Sequence, residues 1–387
     1  MKTLIVTNHY INLTSGGSIG TCSSVNIFAE IVPECYLIYP ESEEDPCKYI
    51  NNKVSLIPCI DPFPKWVKGI LVYFGRLHRF TKIVKDFLEK ENIDLIVFDT
   101  CVASHNLIKY AKRKVKIIFT IHHGVETDFY KDNKPHPLIR IPFMIYLALA
   151  EQRAIVMSDM NLVPTALDKQ KLLTRYKGLI SQNKIQIFSV YENKGIKLES
   201  YRNTFSKNSN SEIRFIITGS LSFPQSDICI RNFLKEYISV IRQVIRHFKI
   251  IIAGKNPTEK LIKTAKYFDE VMIIKNPANM ADLLKDADIY LCVVNMGSGI
   301  KLRIMDALRI GLPVITHKES VNGYESFVNG KYVFTYDTPT SFLESLELLL
   351  KSNINSADII KSYEDIFSFT TGKKKMESIL SYFVDLK

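Results

Sequence analysis

Short apolar runs rich in isoleucine, valine and leucine recur from one end of this chain to the other, with helical spacing between them. In the first half they fall at 3–7, 36–39, 54–57, 95–98, 116–121, 160–163 and 184–188. Each is too short for a helix. Their apolar character is continuous rather than alternating, as in strands covered on both faces. The segments 82–90, 105–112 and 145–157 place apolar residues at helical intervals, the last interrupted by Glu151, Gln152 and Arg153. Repeated strand–helix–strand order predicts an open parallel sheet with helices on both faces.

The rhythm breaks between Asn193 and Ser211, a polar stretch that closes on Lys207-Asn208-Ser209-Asn210-Ser211. Such composition marks a linker or an exposed loop. The alternation then resumes, with strand-like runs at 214–218, 249–253, 270–273, 289–293, 313–316 and 332–334. Helical spacing follows at 228–247, 279–285, 300–310 and 340–351, and again in the tail. A chain of 387 residues, 46% of them hydrophobic, exceeds one comfortable core. We expect two successive α/β domains, 1–192 and 193–365, and a terminal helix over 366–387.

The net charge of +11 favours an anionic partner: a nucleotide, an anionic lipid surface or nucleic acid. The basic residues are dispersed rather than striped, which speaks against nucleic acid. The seven cysteines are scattered with no CxxC pair, as expected of reduced thiols in a cytoplasmic protein. Only a few residues after Met1 are apolar, so no signal peptide is expected. The apolar stretch Ile141–Ala150 falls short of the roughly 20 residues that span a bilayer. The basic, aromatic segment Lys65–Lys82 has two readings, an amphipathic helix beside an acceptor site or a contact with an anionic membrane surface.

The sharpest motif is Gly297-Ser298-Gly299-Ile300-Lys301, set between the run at 289–293 and a helical segment. Two glycines allow close backbone approach, the helix start offers unpaired N–H groups, and Lys301 adds a full charge. Asp306, five residues on, is placed to accept hydrogen bonds from a ribose. A diphosphate carrying a sugar suits this set. Gly219-Ser220 and Lys255-Asn256 end two other strand-like runs. In the first half, Ser15-Gly16-Gly17-Ser18-Ile19-Gly20 follows the first run and reads as a glycine-rich loop for a phosphate or the acceptor. His122-His123-Gly124-Val125-Glu126 follows the run at 116–121, at a strand end where sites of α/β proteins gather. This histidine pair has no further ligand at a useful spacing, so no metal is expected.

The segment Gly297–Thr316 closely resembles the donor-site segment of the GT-B glycosyltransferases related to the retaining family 4, also called group 1. Many members carry two glutamates with seven residues between them; here Ser298 and Asp306 occupy those positions. Thr218-Gly219-Ser220-Leu221 with Pro224 resembles the family's phosphate-side loop, with Gln225 where an asparagine is usual. Ala253-Gly254-Lys255-Asn256-Pro257 resembles the turn beside the base. His123 and Glu126 match a His-Asn-Val-Glu-Ser motif of one subgroup, with Gly124 in place of the asparagine.

The resemblance implies a GT-B fold, two Rossmann-like domains with parallel sheets facing a central cleft, and a last helix that packs back on the first domain. It implies that Gly219, Ser220, Lys255, Asn256, Ser298, Gly299, Ile300, Lys301 and Asp306 bind a nucleotide diphosphate sugar, UDP- or GDP-linked. His123, Glu126 and Lys301 are the expected catalytic residues, and Gly16 and Gly17 the expected acceptor or phosphate loop. The implied reaction moves the sugar to a hydroxyl of a sugar or lipid-linked acceptor, with retention and without a cofactor. It suits cell-surface polysaccharide or glycoconjugate synthesis in the cytoplasm or at the inner face of the membrane. Two rivals stay open: a GT-B-fold sugar-nucleotide epimerase and a non-catalytic nucleotide-sugar-binding protein.

Overall fold

A computed structural model describes residues 1–60, 78–133, 137–194 and 212–384. Most of the Lys65–Lys82 segment and of the 193–211 linker lies outside the described residues. Contacts divide the chain into two compact units. One holds Met1–Ile196, Ser298–Ile300 and Phe367–Lys387; the other holds Lys197–Gly297 and Lys301–Ile366.

The first unit is built on a seven-stranded sheet of β1 (Lys2–Thr7), β2 (Glu34–Pro40), β3 (Val54–Cys59), β4 (Leu95–Asp99), β5 (Ile117–Ile121), β6 (Met160–Val163) and β7 (Ile185–Ile187). Its order is β3-β2-β1-β4-β5-β6-β7. The pairings are parallel throughout, with Ile5 level with Leu37 on one side and Val97 on the other. The strands are apolar on both faces because each face is covered: Leu4, Val6, Ile96 and Phe98 join one core cluster, Ile5, Leu95 and Val97 another.

The second unit is built on a six-stranded sheet of β8 (Ile213–Ser220), β9 (Phe248–Lys255), β10 (Val271–Lys275), β11 (Ile289–Cys292), β12 (Val314–His317) and β13 (Val333–Tyr336). Its order is β10-β9-β8-β11-β12-β13, again parallel. In both sheets the order reverses beside the first strand, between β1 and β4 and between β8 and β11. The crevice past the carboxyl ends of such strands is where open α/β sheets bind ligands.

All thirteen strand-like runs of the sequence are strands, with ends displaced by a residue or two. Two local expectations differ. The segment at 15–20 is not an open loop: a 16-residue helix starts at Gly16, and the Ser15 hydroxyl accepts the Ser18 N–H at 3.2 Å. A serine cap satisfies a helix-start donor, and small residues let this helix lie close to the sheet. The helix expected at 300–310 is the seven-residue Leu302–Leu308, preceded by extended backbone at Lys301. The Tyr324 hydroxyl donates to the Lys301 carbonyl at 2.9 Å and fixes that turn.

The final helix, Phe369–Val384, belongs to the first unit. Met376, Ile379 and Leu380 join the core formed by Ile27, Phe28, Val97 and Phe119. Its Gly372 has no room for a side chain, since an added Cβ would lie 2.5 Å from the Tyr191 ring and 2.7 Å from Ile27 Cδ1. Met376→Ala should therefore destabilise the first unit by about 2–5 kcal/mol. Chemical denaturation followed by circular dichroism would show it as a lower midpoint, and an unchanged midpoint would contradict this packing.

Candidate functional site

Asp99 ends β4 at the switch point of the first sheet, and its side chain is almost wholly buried. Three elements converge on its carboxylate. Thr7, the last residue of β1, donates its hydroxyl to Oδ2 at 2.6 Å. Thr21, from the helix Gly16–Ile31, donates to the same oxygen. His123, just past β5, meets Oδ1 through Nε2 at 2.6 Å. Burial alone would raise the Asp99 carboxyl, but the two imidazoles and the Thr21 hydroxyl hold it at about 2. Burial works against a charged His123 as well; the Asp99 carboxylate outweighs it and raises the imidazole above its ordinary value.

His9 packs on His123 with ring centroids 4.8 Å apart. Burial first, and His123 second, lower its imidazole to about 4, so it is neutral at pH 7. Glycines make room for both rings. A Cβ on Gly17 would lie 2.4 Å from His9 Cε1, and one on Gly20 would lie 3.1 Å from His123 Cε1. Gly16 and Gly17 thus form the first turn of a helix, with Gly17 lying against an imidazole.

Glu126 starts the helix Glu126–Asn133 and is buried. Its carboxyl receives the Cys101 thiol and, at 3.3 Å, the Cys101 N–H. Burial, with Glu151 nearby, raises it to about 7 despite the Cys101 contacts. Glu151 is fully buried and satisfied by Arg175 at 3.0 Å, Tyr176 at 2.9 Å and the Thr127 N–H at 3.2 Å. Glu151, which interrupts the apolar pattern of 145–157, is therefore a buried carboxylate paired with a partly exposed arginine.

Ser298, Gly299 and Ile300 group with the first unit. The Ser298 hydroxyl donates to the Val125 carbonyl at 2.9 Å, and the Gly299 N–H points to Asp168 Oδ1 at 3.4 Å. Gly299 has φ +72°, and a Cβ there would lie 2.2 Å from the His123 carbonyl, so only glycine fits.

The second unit carries its own cluster at the carboxyl ends of β8 and β11. A Cβ on Gly297 would lie 2.9 Å from Gln225 Nε2 and 3.3 Å from Lys301 Nζ, so amide and ammonium converge on one spot. Gln225 Nε2 is buried and has no hydrogen-bond partner. The Arg303 guanidinium lies over Gly219, 3.1 Å from where its Cβ would be, and reaches Ser226 Oγ at 3.3 Å. Ser220 and Lys255 end β8 and β9, and the Asn256 N–H donates to Asn276 Oδ1 at 2.9 Å. Asp306 sits within the helix Leu302–Leu308, with Arg309 Nη2 at 3.4 Å.

Residues 212–352, nearly the whole second unit, match the family model described as glycosyl transferases group 1. No curated protein sequence matches the chain. Among solved structures, the chain is similar to the apo form of the lipopolysaccharide outer core galactosyltransferase WaaB, with 14% identity, a TM-score of 0.67 and 100% of both chains covered. It is similar to HepE of Anabaena in complex with UDP, at 12% identity and a TM-score of 0.67, covering 99% of this chain and 100% of that one. It is also similar to a mutant of S. aureus TarM in complex with fondaparinux, α-GlcNAc-glycerol and UDP, at 7% identity and a TM-score of 0.65, covering 98% and 99%. The fold is that of the GT-B glycosyltransferases.

Sequence reasoning missed Asp99, His9, Gln225 and Arg303. Asp99 and His9 lie far along the chain from His123 and meet it only through the strand order. Arg303 had a signal, two residues beyond Lys301 in the quoted motif, and Gln225 had one as the departure from the usual asparagine.

The raised Glu126 carboxyl gives a pH test. In the unfolded chain it loses its proton near 4.5, whereas in the fold it keeps it to about 7. Stability should fall as pH rises from about 4.5 to 7 and then level off. Glu126→Gln should remove that slope and melt higher at pH 7. Melting temperatures taken across this range would refute the account if wild type and variant ran parallel.

Proposed function

We propose that this protein transfers a sugar from a nucleotide diphosphate sugar to a hydroxyl acceptor. The observation that carries the reading is the cluster in the second unit: Lys301, Arg303 and the unpartnered amide of Gln225 gather at the switch point of a parallel sheet. A buried amide without a partner costs about 1–3 kcal/mol. A diphosphate oxygen accepts from it, and Lys301 and Arg303 supply the positive charge that such a group binds. The match of residues 212–352 to group 1 glycosyl transferases supports the same assignment. HepE, a structural neighbour, holds UDP, UDP with glucose, or UDP-glucose, which makes a UDP-sugar the first donor to try.

In this reading the bond between the anomeric carbon and the β-phosphate oxygen breaks, and a bond to the acceptor oxygen forms. Negative charge grows on the leaving diphosphate. Lys301, Arg303 and the Gln225 amide stabilise it. The helix Leu302–Leu308 is short, so side-chain charge carries the effect rather than a helix dipole. Gly219 lets Arg303 lie close, Ser220, Lys255 and Asn256 border the base, and Asp306 holds the ribose. His123, oriented by Asp99, hydrogen-bonds the transferred sugar or the acceptor hydroxyl. Glu126 keeps the His123 loop in place through its contacts with Cys101. Retention of configuration rests on the resemblance of Gly297–Thr316 to the family segment.

A lipid-linked acceptor at a membrane surface fits one face of the helix Pro137–Met157, where Ile141, Ile145 and Leu149 are exposed. Among the described residues no helix is long and apolar enough to cross a membrane. The cysteines are free thiols, in keeping with a cytoplasmic site of action.

The test is turnover with UDP-, GDP-, CDP- and ADP-sugars, following donor hydrolysis and transfer. Lys301→Ala and Arg303→Ala should each lower kcat/KM by roughly 10²–10³-fold while leaving circular dichroism unchanged. Wild-type rates in both folded variants would end this assignment. Epimerised donor formed without acceptor would replace transfer with epimerisation. A ligand that raises the melting temperature identifies the base, since binding to the folded state stabilises it by mass action.

A further inference from the structure

We propose that His9, Asp99 and His123 form a binding site for a divalent transition-metal cation. One ligand atom from each lies within 4.8 Å of the other two. The set is two imidazole nitrogens and one carboxylate oxygen, the donor chemistry of zinc, cobalt and related ions. The inference rests on this geometry; it shares His123 and Asp99 with the sugar-transfer reading, and its test reads metal binding apart from turnover.

Three features separate the cluster from an ordinary hydrogen-bonded histidine–aspartate pair. The first is His9 Nε2, which is buried and has no hydrogen-bond partner. The pair accounts for His123 but leaves this nitrogen bare, at a cost of about 1–3 kcal/mol. A cation shared with Asp99 satisfies it. The second is the division of labour on Asp99. Thr7 and Thr21 both donate to Oδ2, so Oδ1 is turned toward the imidazoles. Hydroxyls that orient a carboxylate in this way are the usual outer support of a metal ligand. The third is the close seat of both rings on the helix Gly16–Ile31, beside Asp99, where a Cβ on Gly17 would lie 2.4 Å from His9 Cε1 and one on Gly20 3.1 Å from His123 Cε1.

Metal–ligand bonds of about 2.0–2.1 Å place ligand atoms roughly 3.3–4 Å apart. The ligand atoms of the cluster, all within 4.8 Å of one another, stand close to that spacing. Three protein ligands leave a coordination position for an oxygen from outside, as in zinc sites that are not purely structural. His123 keeps 21% of its side chain exposed, so the cluster is reached from solvent. The sequence hides the site because its ligands stand at positions 9, 99 and 123, with no local spacing to betray them.

The experiment uses the full chain, stripped with a chelator and titrated with Co²⁺ while its visible ligand-field absorption is followed. Zn²⁺ is then added in competition. One equivalent of Co²⁺ should bind with tetrahedral or five-coordinate bands, and Zn²⁺ should abolish them. His9→Ala should weaken binding by more than the roughly 10–100-fold lost with a residue that merely orients a ligand. His9→Gln serves if the alanine variant fails to fold by circular dichroism. Cys47→Ser removes the exposed thiol as a competing ligand and should leave the bands intact. Absence of a Co²⁺ spectrum in wild type overturns the proposal. So does a spectrum that survives the His9 variants or disappears with Cys47→Ser.

Discussion

The Asp99 carboxylate is the fixed charge on which the first unit's site depends. It is buried at the end of β4 and is approached by β1, by the helix Gly16–Ile31 and by the loop after β5. A buried carboxylate is costly unless each lone pair is met. The groups that meet this one are the same groups that shape the crevice. Thr7 and Thr21 tie helix to sheet, and His123 is held in one orientation and one protonation preference. The alternatives to this arrangement leave a naked charge in the core, which makes the arrangement specific as well as stable. Glu151 plays a comparable part nearby, where Arg175, Tyr176 and Thr127 satisfy it.

The second unit solves a different problem. Its cluster brings positive charge, not negative, to a sheet of the same plan. Gly219 and Gly297 are bare backbone at strand ends, and Arg303, Lys301 and Gln225 stand over them. Each cluster leaves one buried nitrogen unmet, His9 Nε2 beside a carboxylate in the first unit and Gln225 Nε2 beside an ammonium in the second. The two clusters differ in the sign of the charge they present.

Much of this was legible in the sequence because parallel strands covered on both faces leave a plain apolar signature. The central strands show it most plainly, while the edge strands β3, β7 and β10 are partly exposed. Helix starts were less legible. Ser15-Gly16-Gly17 reads as a loop because glycine disfavours helix, yet the Ser15 cap and close packing outweigh that preference. The cluster of Lys301, Arg303 and Gln225 is half legible, since Lys301 and Gly219 carry local motifs while the contact of Arg303 with Gly219 is made across space. The His9–Asp99–His123 group was not legible, because strand order alone brings it together. Glu151 looked like an interruption in an apolar helix and is buried, because its partner Arg175 lies in another helix.

The helix Phe369–Val384 has a consequence for how the chain is made. Met376, Ile379 and Leu380 are part of the first unit's core, although they leave the ribosome after the second unit. The first 196 residues therefore emerge with an apolar groove along Ile27 and Phe28 that nothing yet fills. The second unit emerges in between, and domains of that kind fold as units during synthesis. The chain should thus complete its later unit before its earlier one. A nascent chain halted before Phe369 should be the species that chaperones hold and proteases find.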